Sequence, residues 1–256
     1  MEAKSRIRLR CDMGIWPNPP VVAGLVAVAL AAGVAGCAAT RGGDGRSAAT
    51  FDPGQLAKTD IDRVAEAHRA EVFRGLRLLA EKLYRRNPRE WRRGGAANLE
   101  AAVDRLFDPR AGWRFQELDG RTGIDAVRVA FAEDFRGDRV AALIGGLGGM
   151  AHAAFNEKTE FFVIDDLDPQ KLYNAARNVE IAAWKLAATR GADGSPLLLA
   201  NEMGPVQNLS FEREFGKLIA NLDTLSHIME DKTRRTVVKV IQTLATAVFL
   251  PVPALK

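Results

Sequence analysis

The residues best equipped for chemistry lie between positions 152 and 168. His152 is followed by Glu157, Glu160, Asp165, Asp166 and Asp168. Several carboxylates suit a hard cation, and a histidine beside them suits a transition metal or a hydrolytic water. The spacing matches neither a calcium-binding loop nor a paired-histidine zinc helix. Acidic residues are also favoured just ahead of a helix start, where Asp168 stands before Pro169. Solvated caps are therefore the favoured reading, with a metal-binding or hydrolytic segment as the rival. His68 falls on an apolar stripe and reads as a core histidine. His227-x-x-Glu230 supplies one pair, fewer inward ligands than a di-metal bundle needs. No serine sits in a nucleophile-elbow context, and neither a catalytic residue nor a cofactor is expected.

Two further stretches stand out. "RRNPREWRR" places Arg85, Arg86, Arg89, Arg92 and Arg93 around Trp91. Guanidinium forks suit phosphate, and tryptophan suits a lipid–water interface, which makes these six residues a candidate anion or membrane-surface contact. The plainer alternative has Arg85 and Arg86 complementing a helix carboxy terminus while Trp91 packs inward. "VAALIGGLGGMAHAAF" (140–155) is nearly free of charge and contains Gly145-x-x-x-Gly149. Mid-helix glycine costs about 1 kcal/mol against alanine, so four of them demand a reason. The favoured one is a central buried helix packed on the carboxy-terminal helix. Backbone lining a site, an apolar lipid-handling pocket near Gly145–Gly149, and membrane insertion are the others.

The elements positioning these residues read as helices. Thr59-x-x-Asp62 forms a capping box with Asp in place of Glu. It precedes the stripe Ile61, Ala65, His68, Val72, Leu76, Leu79 and Leu83. Asn87 is placed to cap a helix opening at Pro88, Asn98 one running to Phe107, and Asp138 and Asp168 two more. Thr122-x-x-Asp125 opens another. "TEFFVIDDLDP" offers a short strand or a buried turn. Phe211, Phe215, Leu218, Leu222, Leu225 and Met229 advance by alternating fours and threes. Val237, Ile241, Leu244 and Val248 form a second, shifted seam and predict another helix. Six to eight helices with short connections give an all-α, single-domain bundle over 58–256.

Before this domain the pattern changes. Lys4, Arg6, Arg8 and Arg10 precede an uncharged run from 21 to 39 that holds Cys37, the layout of a secretory signal. Val34-Ala35-Gly36-Cys37 resembles the lipobox of bacterial lipoprotein signal peptides. The resemblance covers residues 1–37 and implies removal of 1–36, thioether lipidation of Cys37 and acylation of the new amino terminus. An uncleaved span or an ordinary signal peptide are the competing readings. Ala38 after the cysteine, rather than Asp, resembles the outer-membrane sorting pattern. The implied address is the periplasmic face of the outer membrane, with the inner membrane as the other choice.

Residues 37–57, rich in Gly, Ala, Ser and Thr, read as the lipidated cysteine and a flexible tether. The net charge of +4 falls to about +2 once the four basic and two acidic residues of the leader are removed, so global charge does not support a nucleic-acid partner. The cysteine-free remainder holds neither an internal disulfide nor a thiolate metal site. The expected function is a membrane-anchored, non-enzymatic helical module that binds an envelope protein or lipid.

Overall fold

The structure is a computed structural model that describes residues 58–240 and 247–254. The leader, Cys37 and the tether therefore lie outside the described residues, as do Ile241 and Leu244 of the second seam. Seven α-helices are present among the described residues: α1 (Asp60–Arg86), α2 (Pro88–Arg93), α3 (Leu99–Leu106), α4 (Gly123–Ala130), α5 (Arg139–Ala154), α6 (Pro169–Ala188) and α7 (Ser210–Thr233). Short 3₁₀ turns at Pro109–Ala111 and Gln116–Leu118 carry the chain from α3 to α4. The fold is an all-α bundle, and no helix among the described residues is long and apolar enough to cross a membrane.

Local chemistry sets most boundaries. The Thr59 hydroxyl accepts from the Asp62 amide, and the Asp62 carboxylate accepts from the Thr59 amide at 2.8 Å, closing the expected box. Asn98, Asp138 and Asp168 accept from the amides of Ala101, Ala141 and Gln170. Thr122 precedes α4 without a side-chain cap bond. The 161–167 stretch is not a strand. Asp165 donates its amide to the Phe162 carbonyl at 2.7 Å and takes the Phe162 amide on its carboxylate at 3.0 Å, so the chain closes into a turn.

The helix α5 occupies the centre. Fourteen of its sixteen residues are buried, so it contacts protein on every side rather than showing one face to water. Its closest partner is α4 together with the 113–115 loop. The expectation that it packs on the carboxy-terminal helix was wrong. The glycines explain why: the Phe115 ring covers Gly145, the Trp113 ring covers Gly148, and the start of α4 lies on Gly146 and Gly149. Trp113 in turn packs on Phe73 and edge-on to Phe107, with ring centroids 5.4 and 5.5 Å apart. α1, α6 and α7 complete the bundle, and the α7 seam from Phe211 to Met229 is buried as its spacing predicted.

The second carboxy-terminal seam is not a helix where it is described. After Arg234, in the left-handed region at φ 53°, residues 235–240 and 247–254 run without helical structure. Side chains of α6 replace the missing backbone partners. Gln170 bonds both backbone groups of Val238, the Tyr173 hydroxyl those of Val240, and Asn178 those of Leu250. Asn174 donates to the Pro251 carbonyl. This polar stripe satisfies the segment laterally, and an apolar period in the tail does not reveal it.

The glycine packing yields a paired test. A methyl group at Gly146 would lie 2.7 Å from the Gly123 carbonyl oxygen and the Val127 amide nitrogen, both backbone. Gly146→Ala should cost about 2–4 kcal/mol. Gly216 in α7 has nothing within 4 Å of that position, so Gly216→Ala should stabilise by about 0.5–1 kcal/mol. Urea unfolding of both variants measures the contrast, and equal effects would contradict the packing described.

Candidate functional site: an arginine-lined groove

The "RRNPREWRR" stretch folds as the last turn of α1, a one-residue corner at Asn87, and α2. Asn87 does not cap α2 with its side chain. Its Nδ2 donates to the carbonyls of Leu83 and Leu199, and its Oδ1 accepts from the Leu199 amide at 2.7 Å. The corner is thereby pinned to a segment 112 residues away, a role that local spacing does not reveal. Arg86 reinforces the contact with an ion pair to Glu202 at 3.3 Å.

This corner, the 133–139 turn and the 191–199 loop enclose a groove of about 770 Å³. Arg86, Arg89, Arg93, Arg136 and Arg139 line it together with Glu90, Glu133 and Asp193, and Phe135, Leu197 and Leu199 form an apolar wall. Arg89 and Arg136 are exposed and have no ion-pair or hydrogen-bond partner among the described residues. Of the six residues singled out in the sequence, Arg86, Arg89 and Arg93 meet in the groove. Arg85 and Arg92 lie exposed outside its lining, Arg92 over the Trp91 ring at 4.7 Å. Trp91 is half-buried against the core, as the plainer alternative held. Arg136 was missed, because an isolated arginine in a loop carries no signal of where the loop folds back.

Beneath the groove lies a buried polar cluster. Glu90, 5 % exposed, accepts from Arg93 through Oε1 and from the Arg139 amide through Oε2, each at 2.8 Å. Asp138 accepts the Ala141 amide on Oδ1 and the Tyr84 hydroxyl on Oδ2 at 2.8 Å. Arg105 approaches Asp138 at 3.9 Å and Glu117 at 3.1 Å. The Arg139 guanidinium donates to the carbonyls of Ala130, Ala132, Glu133 and Phe135 and so holds the turn that carries Arg136. Burial pushes the Asp138 carboxyl up to about 6, against the pull of the Ala141 amide and Tyr84. Burial beside Asp138 raises the Tyr84 hydroxyl far above its ordinary value.

The 152–168 residues disperse onto separate structural partners. Glu160 pairs with Lys58 at 3.5 Å and Asp166 with Lys232 at 3.8 Å. Asp165 binds Lys158 and the Phe162 amide, and Asp168 caps α6. Glu157 alone of the five shares a groove with His152, one of about 570 Å³ that also borders Trp113 and the 249–254 segment. Burial, and then Arg69, lower the His152 pKa. No group of three His, Cys, Asp or Glu residues placed to hold a metal occurs among the described residues. His227 faces Glu230 at 3.6 Å, and Glu230 also accepts the Val237 amide. The space beside Gly145, Gly146 and Gly148 is filled by Phe115, Val127 and Trp113. A lipid pocket is not found at those three glycines; only Gly149 borders the His152 groove.

Comparison with protein-family models, curated proteins and solved structures gives no match for the chain. The site is therefore argued from its own geometry. Five arginines and three acidic residues line the open groove, and Arg89 and Arg136 have no ion-pair or hydrogen-bond partner among the described residues, an arrangement whose guanidinium forks suit an anion.

The cluster beneath the groove has a pH signature. The folded protein holds the Asp138 proton more tightly than an unfolded chain titrating near 3.8. Its contribution therefore favours the fold below pH 4 and is lost as pH rises through about 6, a change on the order of 3 kcal/mol. Asp138→Asn keeps an acceptor for the Ala141 amide and removes the titration. Urea unfolding at pH 4 and pH 7 should show the variant gaining by roughly that amount, relative to the natural chain, as pH rises. Parallel pH dependence in the two proteins would contradict the assignment.

Proposed function

We propose that this protein is a lipid-anchored envelope protein whose helical bundle presents an anion-binding groove. In this reading Cys37 carries the lipid and residues 38–57 tether the bundle to the periplasmic face of the outer membrane. The bundle works as a binding module without catalytic chemistry. One observation carries the binding part: Arg86, Arg89 and Arg93 of the 85–93 stretch and Arg136 of the distant 133–139 turn line one groove. Structural duties use up two of these cations, through Glu202 and Glu90, and leave Arg89 and Arg136 for an external anion. The lipobox resemblance of Val34-Ala35-Gly36-Cys37 supports the attachment part.

Within the bundle, the start of α1 at Asp60 and the groove beside Arg86 lie at opposite ends of that helix, about 40 Å apart for 27 residues.

Replacing Cys37 with Ser tests the attachment. The variant should lose lipid labelling and either accumulate with its leader or shift to the soluble fraction, read by metabolic palmitate labelling and cell fractionation. Lipid labelling at the natural level in that variant would contradict the reading.

A further inference from the structure

The arginine groove has an apolar neighbour that extends its chemistry. Residues 199–209 leave the groove wall at Leu199 and turn back through a narrow hairpin. The Glu202 and Asn208 backbones exchange hydrogen bonds at 2.8 and 3.0 Å across it. The tip reads Met-Gly-Pro-Val-Gln, and it shows its apolar side chains to water: Met203 is 70 % exposed and Val206 83 %. Nothing in the bundle requires those side chains to be apolar. Two contacts tie the hairpin to the basic corner, Asn87 to Leu199 and Arg86 to Glu202.

A second exposed apolar pair helps decide what this surface meets. Val163 and Ile164 are also exposed, but they sit in a stretch with Glu157, Glu160, Asp165, Asp166 and Asp168, which Lys158, Lys58 and Lys232 offset only in part. An anionic surface would repel that stretch. The hairpin instead is tied through Arg86 and Asn87 to the corner whose groove holds Arg89 and Arg136, the two arginines without an ion-pair or hydrogen-bond partner among the described residues. Exposed aliphatic side chains next to a set of guanidinium groups match the layered chemistry of a bilayer with anionic head groups. Phosphates meet the arginines, and the acyl region takes the Met203 and Val206 side chains.

We propose that the 203–207 hairpin tip and the arginine groove together dock on a membrane surface rich in anionic phospholipid. The proposal rests on the anion-binding reading of the groove and names its occupant as lipid phosphate.

The test places a polarity-sensitive fluorescent amino acid at position 206 of the full chain. The purified protein is inserted through its own amino terminus into vesicles of phosphatidylcholine alone or of phosphatidylcholine with phosphatidylglycerol. The expected result is a blue-shifted emission with phosphatidylglycerol only. The shift should be lost at high salt and in the Arg89→Glu, Arg136→Glu double variant. Those two arginines have no partner among the described residues, so their reversal should leave the circular dichroism unchanged. Identical emission in the two vesicle types, or a shift that survives the reversal, overturns the proposal. So does a photo-cross-linker at position 206 that captures protein rather than lipid in intact cells. Co-flotation with the vesicles reads the attachment separately, so loss of the shift without loss of flotation overturns the contact and leaves the anchor standing.

Discussion

The structure depends on satisfying the amino-terminal end of a helix that is buried on all sides. The first amides of α5 have no intrahelical acceptor and no access to water. An unpaired amide there would cost about 1–3 kcal/mol, a large fraction of a typical domain's stability. Two carboxylates from different segments meet the need: Glu90 takes the Arg139 amide and Asp138 takes that of Ala141. Both set carboxyl oxygens at the positive end of a helix dipole, which offsets part of the burial penalty that raises Asp138. The need to hold them brings α1, α2 and α3 to one place, through Tyr84, Arg93 and Arg105.

The rest of α5 follows from its small residues. A helix of Ala and Gly brings neighbouring backbone closer than branched side chains allow, and α4 and the Trp113–Phe115 loop use that space. At its glycine positions the side-chain volume comes from the neighbours, while Val140, Leu143, Ile144, Leu147 and Met150 of α5 are themselves buried. The groove is a surface consequence of the same arrangement. Glu90 joins the two levels, with one oxygen on the buried helix and the other on Arg93 at the groove. Arg139 does likewise, its amide at the helix end and its guanidinium holding the turn that presents Arg136. The position of the arginines is thus tied to the most deeply buried part of the domain.

How much of this was legible depends on how local each cause is. The Thr59 box, the Asn98, Asp138 and Asp168 caps and the α7 seam each rest on residues within one or two turns. Their spacing announced them, and the all-α bundle with them. The tail beyond Arg234 was misread because its partners are Gln170, Tyr173, Asn174 and Asn178 of another helix, so an apolar period alone suggested a helix. Asn87 was read as a cap because it precedes Pro88, whereas its amide is used by Leu199. The arginine cluster was visible as composition, but its division into groove-lining and peripheral members was not. Arg136 and the 199–209 hairpin join it only through tertiary folding. Aliphatic residues at an exposed hairpin tip look like core residues until the fold shows them facing water.

Native-state hydrogen exchange at the start of α5 tests the central claim most directly. The account predicts that the Arg139 and Ala141 amides, held by Glu90 and Asp138, exchange only through global unfolding, with the protection expected of the most stable core. Exchange at those two amides through a lower-energy local opening, while the Leu143–Ala151 amides stay protected, would show that the helix end is not the constraint that organises the bundle.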